Sequence, residues 1–234
     1  MTYADGYSVR STAANLNLVA NALDDLDSRI TTTDWRALSE TLTYASATTI
    51  TVASGATSRF QVGDRLWITQ TTSKYFVITG VASTTLTVFG GTDYSVANAA
   101  ITSPYVSRAV CPFGWPSYFN YTPTYGAQAG SFSGTPTTNY CRASIIGKKY
   151  DILIYFQGTL TSATADYLTM TLPANADGTV YVHSQLDGQN SSFSDDCFAQ
   201  QQNASTSVRI YRNDGADWAI ATFFVFGKIT GFLA

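Results

Sequence analysis

Tyr150-Asp151-Ile152-Leu153-Ile154-Tyr155-Phe156 is apolar at nearly every position. A short run of this kind, rich in β-branched and aromatic side chains, reads as a strand buried on both faces. Downstream, Tyr167-Leu168-Thr169-Met170-Thr171-Leu172 alternates and Pro173 ends it. Thr179-Val180-Tyr181-Val182 follows an Asp177-Gly178 turn. Ser207 to Arg212 and Trp218 to Phe226 flank Asn213-Asp214-Gly215, the strongest short-range hairpin signal in the chain. About eight strands in roughly 100 residues predict a jelly roll over 140–234. Its last stretch, Ile229 to Ala234, stays apolar and reads as a docked strand.

Upstream, the period is also two from Trp35 to about Pro116. Thr49-Ile50-Thr51-Val52, Arg65-Leu66-Trp67-Ile68-Thr69, Lys74 to Thr79 and Leu86 to Phe89 are short alternating runs. Gly63-Asp64, Gly80 and Gly90-Gly91 punctuate them, which predicts a small antiparallel β barrel or sandwich over 35–116. Between the two β regions, prolines and glycines from Pro112 to Pro136 break any ladder, yet Trp115, Tyr118, Phe119, Tyr121 and Tyr125 are interleaved with them. So many rings predict an ordered aromatic connector over 117–139, pinned against its neighbours.

The first 34 residues carry a different period. Val9, Leu16, Leu23 and Ile30 recur every seven residues, with Thr12, Val19 and Leu26 on the companion positions. This narrow stripe is a coiled-coil seam, hidden only by copies of itself. Val9, Leu16, Val19, Leu23, Leu26 and Ile30 are therefore the expected oligomerisation residues of a helical stem at 1–34. The alternative is an amphipathic helix packed on its own β domain.

Composition agrees with a mainly β chain. Charged residues are 12% and aromatics 14%, with fifteen Tyr and thirteen Phe, the opposite of a disordered composition. A net charge of −3 gives no electrostatic reason to expect nucleic acid or an anionic membrane as partner. No window approaches the roughly 18 apolar residues a membrane span needs, so no membrane insertion is expected. The opening Met1-Thr2-Tyr3-Ala4-Asp5 lacks the basic and apolar parts of a secretory leader, which predicts assembly in a cytoplasm. Cys111, Cys141 and Cys197 are odd in number and far apart, and read as free thiols.

Catalytic signals are sparse. His183 is the only histidine, sits in an alternating run, and has no GxSxG near any serine to serve. No phosphate-binding glycine loop and no zinc-ligand spacing occur, so no cofactor is expected. Asp195-Asp196 is the one adjacent acidic pair, but sequence neighbours on a strand point opposite ways, a poor acid and base couple. With Asp187 they are conceivable calcium ligands, though at no loop-motif spacing. The polar loop from Gln185 to Gln202 is the best ligand-binding candidate, with Asn190, Ser191, Phe193, Gln200, Gln201 and Gln202 as its contact residues.

Trp35-Arg36-Ala37-Leu38 and Leu42 to Val52, followed by Phe60-Gln61-Val62-Gly63-Asp64-Arg65-Leu66, Gly90-Gly91-Thr92-Asp93-Tyr94 and Gly114-Trp115-Pro116, resemble a β module of bacteriophage tail and fibre proteins. Tyr167 to Pro173 and Val225-Phe226-Gly227-Lys228-Ile229 resemble, at the level of pattern, trimeric jelly rolls of the complement and tumour-necrosis-factor type. Neither resemblance transfers a functional residue. Together they imply a homotrimeric virion component, a tail fibre or receptor-binding protein. Such a protein attaches by its N-terminus to tail, portal or capsid proteins and displays its C-terminal domain to a host-surface glycan or protein. A capsid decoration protein or head fibre is the alternative, and a glycan hydrolase a more distant one. The expectation is a protein that is not an enzyme.

Overall fold

Short alternating runs parted by glycine turns build two antiparallel sheets in the computed structural model, which describes residues 17–19, 34–161, 164–177, 183–190, 194–201 and 205–234. The first sheet contains β1 (Arg36–Ala37), β2 (Thr43–Ser46), β3 (Thr49–Thr51), β4 (Arg65–Thr69), β5 (Ser73–Val81), β6 (Thr85–Phe89) and β7 (Thr102–Ser107). Their order is β1-β7-β4-β5-β6-β3-β2. The pleat sends Leu66, Ile68, Phe76, Ile78, Leu86, Val88 and Val106 to one face, where Leu42, Val52, Phe60 and Val96 close over them.

The second sheet contains β8 (Phe119–Asn120), β9 (Tyr125–Ala127), β10 (Ser131–Phe132), β11 (Thr137–Ile146), β12 (Lys149–Thr161), β13 (Leu168–Thr171), β14 (His183–Asn190), β15 (Ser194–Gln201), β16 (Ser207–Arg212) and β17 (Thr222–Phe232). Nine of them follow one hydrogen-bonded order, β8-β11-β12-β17-β14-β15-β16-β13-β9, and β10 pairs with β12 off that path. The sheet curls into a half-barrel that brings β9 against β11 and β12. Tyr125 of β9 stacks on Phe156 of β12 with ring centroids 4.2 Å apart, and its hydroxyl hydrogen-bonds the Thr138 hydroxyl of β11 at 2.9 Å. Inside the curl lie Ile152, Ile154, Phe156, Leu168, Met170, Val208, Ile210, Trp218, Phe223 and Val225.

The connector aromatics join the two sheets. Phe89 meets Phe119 and Tyr121 at 5.9 and 5.8 Å, and Trp115 meets Tyr75 and Phe119 at 6.0 and 5.5 Å. Tyr118 of the same segment stays exposed. At Gly63, with φ +95°, a Cβ would overlap the backbone of Gly147, so this close backbone approach between the sheets depends on a bare α-carbon.

Three features differ from the sequence reading. A jelly roll divides its strands between two stacked sheets, whereas here one unbroken order curls over its own core. The Asn213-Asp214-Gly215 turn forms, but β16 pairs with β15 and β13 while β17 pairs with β12 and β14. The cause is Trp218. It is fully buried, its indole donates to the Ile210 carbonyl at 3.1 Å, and its backbone pairs with Ala165, so the chain crosses the core before β17 begins. Finally, β12 is buried on one face only. Tyr150, Ile152, Ile154 and Phe156 point inward, while Leu153 is half-buried and Tyr155 exposed on the other side.

No coiled-coil helix is present among the described residues. Of the heptad seam only Val19 is described. It belongs to a helical stretch at 17–19 and is 57% exposed. Val9, Leu16, Leu23, Leu26 and Ile30 lie outside the described residues.

Candidate functional site

The outward face of the second sheet carries an aromatic patch where a solvated sheet would carry polar residues. Register sets Tyr140 of β11 beside Tyr155 of β12, and Tyr155 beside Phe226 of β17. One pleat further along, Gln157 of β12, Phe224 of β17 and Gln189 of β14 form the next row. Tyr155 packs against Phe226 edge-on at 6.1 Å and against Phe224 at 6.3 Å. These rings with Gln189 line a shallow groove of about 420 Å³. Tyr140, Tyr155 and Phe226 remain 37%, 38% and 39% exposed. The rings leave an exposed aromatic cluster on the outward face of the curled sheet.

Charged residues border the patch on two adjacent sides. One pleat along the strands stand Arg142 of β11, opposite Leu153, then Lys228 of β17 opposite the same leucine, and beyond them Lys149 at the start of β12. The Arg142 guanidinium lies 5.1 Å from the Tyr140 ring. Asp151 ties the lysines together, with Lys228 Nζ at 2.9 Å and Lys149 Nζ at 3.5 Å, and the Thr230 hydroxyl donates to it at 2.7 Å. Burial pushes the Asp151 carboxyl up, but the Thr230 hydrogen bond and the two lysines outweigh it and leave it below its ordinary value.

Continuing the Tyr155 and Phe226 row onto the next strands, Asp187 of β14 faces Phe226 across one ladder and Asp196 of β15 across the other. Two carboxylates directly opposite on a sheet repel. The Gln185 amide donates to Asp196 at 2.9 Å, which eases one of them. The conceivable calcium set is thus partly assembled, with Asp187 and Asp196 on one face. No group of three His, Cys, Asp or Glu able to hold a metal occurs among the described residues.

Of the six residues expected to bind a ligand, Asn190, Gln200 and Gln201 are described. Gln200 and Gln201 are in β15, not in a loop. Gln201 turns inward, 1% exposed, where its Oε1 accepts from the Tyr150 hydroxyl at 2.9 Å and from the Phe232 amide at 2.8 Å, and its Nε2 donates to the Asp177 carbonyl. Its carboxamide holds β15 to β12 and β17. Asn190 ends β14, and Ser191, Phe193 and Gln202 lie outside the described residues. His183 opens β14. Sequence reasoning missed Tyr140, Leu153, Tyr155, Phe224 and Phe226 as surface residues. The signal was present, since a strand apolar on both faces has a second face to cover.

Against known proteins, the chain matches no protein family, no curated protein and no solved structure.

Proposed function

We propose that this chain is a structural and binding component of a virion, assembled as a homotrimer through the outward face of its second sheet. The observation that carries the reading is that face, an exposed aromatic patch with a basic rim along one side and an acidic rim along an adjacent side. In a cyclic arrangement the basic rim of one copy, with Arg142, Lys149 and Lys228, meets the acidic rim of the next, with Asp187 and Asp196. The rings are then covered, and the basic residues of one copy lie against the carboxylates of the next. The heptad row at 9–30 supports the same partner, because a coiled-coil stem is hidden only by further copies of itself.

The resemblance of 35–116 to phage tail and fibre modules supports the virion setting, with the N-terminus as attachment and the C-terminal sheet as the displayed part. The recognition target in this reading is a host-surface glycan or protein. A capsid decoration protein or head fibre would carry the same self-association face. The working experiment is the mass of the intact chain at micromolar concentration, followed by binding of the oligomer to isolated host envelopes and to empty capsids. A trimer that binds envelopes is the expected result, and capture by capsids alone would move the assignment to a decoration protein. A monomer at that concentration would refute the reading, and release of reducing sugar from envelopes would replace it with a hydrolase.

A further inference from the structure

Three buried side-chain nitrogens that find no acceptor among the described residues lie together at the junction of the two sheets. Arg65 opens β4 at 2% exposure, and its Nε and Nη2 have no hydrogen-bond partner. Trp67 Nε1, two residues on and so on the same face of β4, also has none. Other indoles nearby and in the second core are satisfied: Trp35 donates to the Phe113 carbonyl at 2.9 Å, and Trp218 to Ile210. Asp64, next to Arg65, is committed elsewhere. Its Oδ1 accepts from Arg108 Nε at 3.2 Å, and its Oδ2 from the Gln61 amide at 3.0 Å. A guanidinium stays charged when buried, so this layer holds a cation and three donor nitrogens, with four N–H bonds between them, that no acceptor among the described residues meets.

The identity of the unpaired atoms selects the missing chemistry. Nε and Nη2 share one edge of the guanidinium, and that edge grips both oxygens of a carboxylate in parallel bonds. The walls are flat and aromatic. The Arg65 guanidinium lies 5.3 Å from the Trp115 ring, and Trp67 stacks on Tyr105 at 4.7 Å and meets Trp35 at 5.7 Å. Trp115 is half-buried and follows Gly114, whose φ of +78° sets a sharp turn beside the exposed Phe113. It forms the outer wall.

We infer that the layer between β4 and Trp115 is a binding site for a small organic acid. The carboxylate sits on the Nε and Nη2 edge of Arg65 with Trp67 Nε1 beside it, and the body of the acid lies against the Trp115 ring as that wall turns aside. A sugar acid fits such walls, because its ring can stack on an indole face while its carboxylate meets the fork. This site is separate from the self-association face and stands or falls independently of it.

Three of the four tryptophans, Trp35, Trp67 and Trp115, surround the site, so intrinsic fluorescence reports on it directly. The full chain is titrated with glucuronate and with acetate at constant ionic strength, with sodium chloride and the uncharged methyl ester of glucuronate as matched controls. The expected result is a saturable spectral change with both acids and none with the controls. Arg65→Lys, which keeps the charge and loses the fork, abolishes saturation. Trp67→Phe, which removes one donor to a charged group and keeps a ring, weakens apparent affinity by roughly tenfold. Circular dichroism verifies that each variant is folded, and if Arg65→Lys is not, Trp67→Phe and the ester decide. No saturable change, an equal change with chloride or ester, or an unaltered titration in the folded variants overturns the assignment.

Discussion

Truncating Phe226 to alanine should separate the copies without unfolding any of them. The side chain lies on the outer face of β17, packed edge-on to Tyr155, and 39% of it is still exposed in the single chain. Taking roughly 200 Å² for a whole phenylalanine, about 80 Å² remains to be covered by a partner. At about 25 cal/mol per Å² that area is worth about 2 kcal/mol per contact, near a thirtyfold change in its dissociation constant. The intramolecular loss is small, because the inward neighbours Phe223 and Val225 are untouched and carry the core contacts of β17. Sedimentation velocity across a concentration series measures the first quantity, and thermal melting followed by circular dichroism measures the second. The expected pattern is a dissociation curve shifted to higher concentration with a melting temperature, read under monomeric conditions, moved by only a few degrees. A wild-type chain that sediments as a monomer, or a Phe226→Ala chain that associates unchanged, would refute the role of this face.

Other consequences can be checked separately. Arg142→Asp should weaken association, and combining it with Asp187→Arg should restore much of it, as rims that meet between copies require; an additive loss in sedimentation would count against the cyclic pairing. Asp151 titrates below the ordinary carboxylate value, so its contribution to stability is complete above pH 3.8 and is lost as pH falls through its lower folded value. Asp151→Asn should therefore lose less stability than wild type on that acid limb in urea melts. Gln201→Leu strands the buried Tyr150 hydroxyl without its acceptor and should cost about 2 kcal/mol in urea denaturation. Burial pushes the Cys141 thiol up to about 12, while Cys111 is exposed. A thiol reagent at pH 8 should label Cys111 rapidly and Cys141 only after unfolding.

Period two in the sequence marked most of the strands and the side chains each turns inward, because that information is local. Pairing was less legible. Asn213-Asp214-Gly215 has the chemistry of a tight hairpin and makes the turn, yet nothing local shows that Trp218 will be drawn under Ile210 and carry the next strand to a different neighbour. The same limit applies to Gln201. A glutamine in a polar stretch suggests a solvated loop, and only long-range register brings Tyr150 and Phe232 to its carboxamide. For β12 the apolar character was read correctly and its cause was not. Leu153 is half-buried and Tyr155 exposed beside Phe224 and Phe226, so the strand's second apolar face lies outside the core rather than within it. Arg65, inside the alternating run from Arg65 to Thr69, carried no local sign that it would be buried, since that depends on Trp115 some fifty residues later.

The place of β17 in mid-sheet, between β12 and β14, has a consequence for biogenesis. Until a ribosome has released the residues up to Phe232, the strands before it form two fragments with no rung between them. Phe224 and Phe226 arrive with that same segment. A nascent chain therefore lacks both the piece that closes its own sheet and two of the rings that would engage a neighbour. Until that segment emerges the edges of β12 and β14 stay open, and unpaired edges beside apolar surface are what make unfinished chains prone to aggregate.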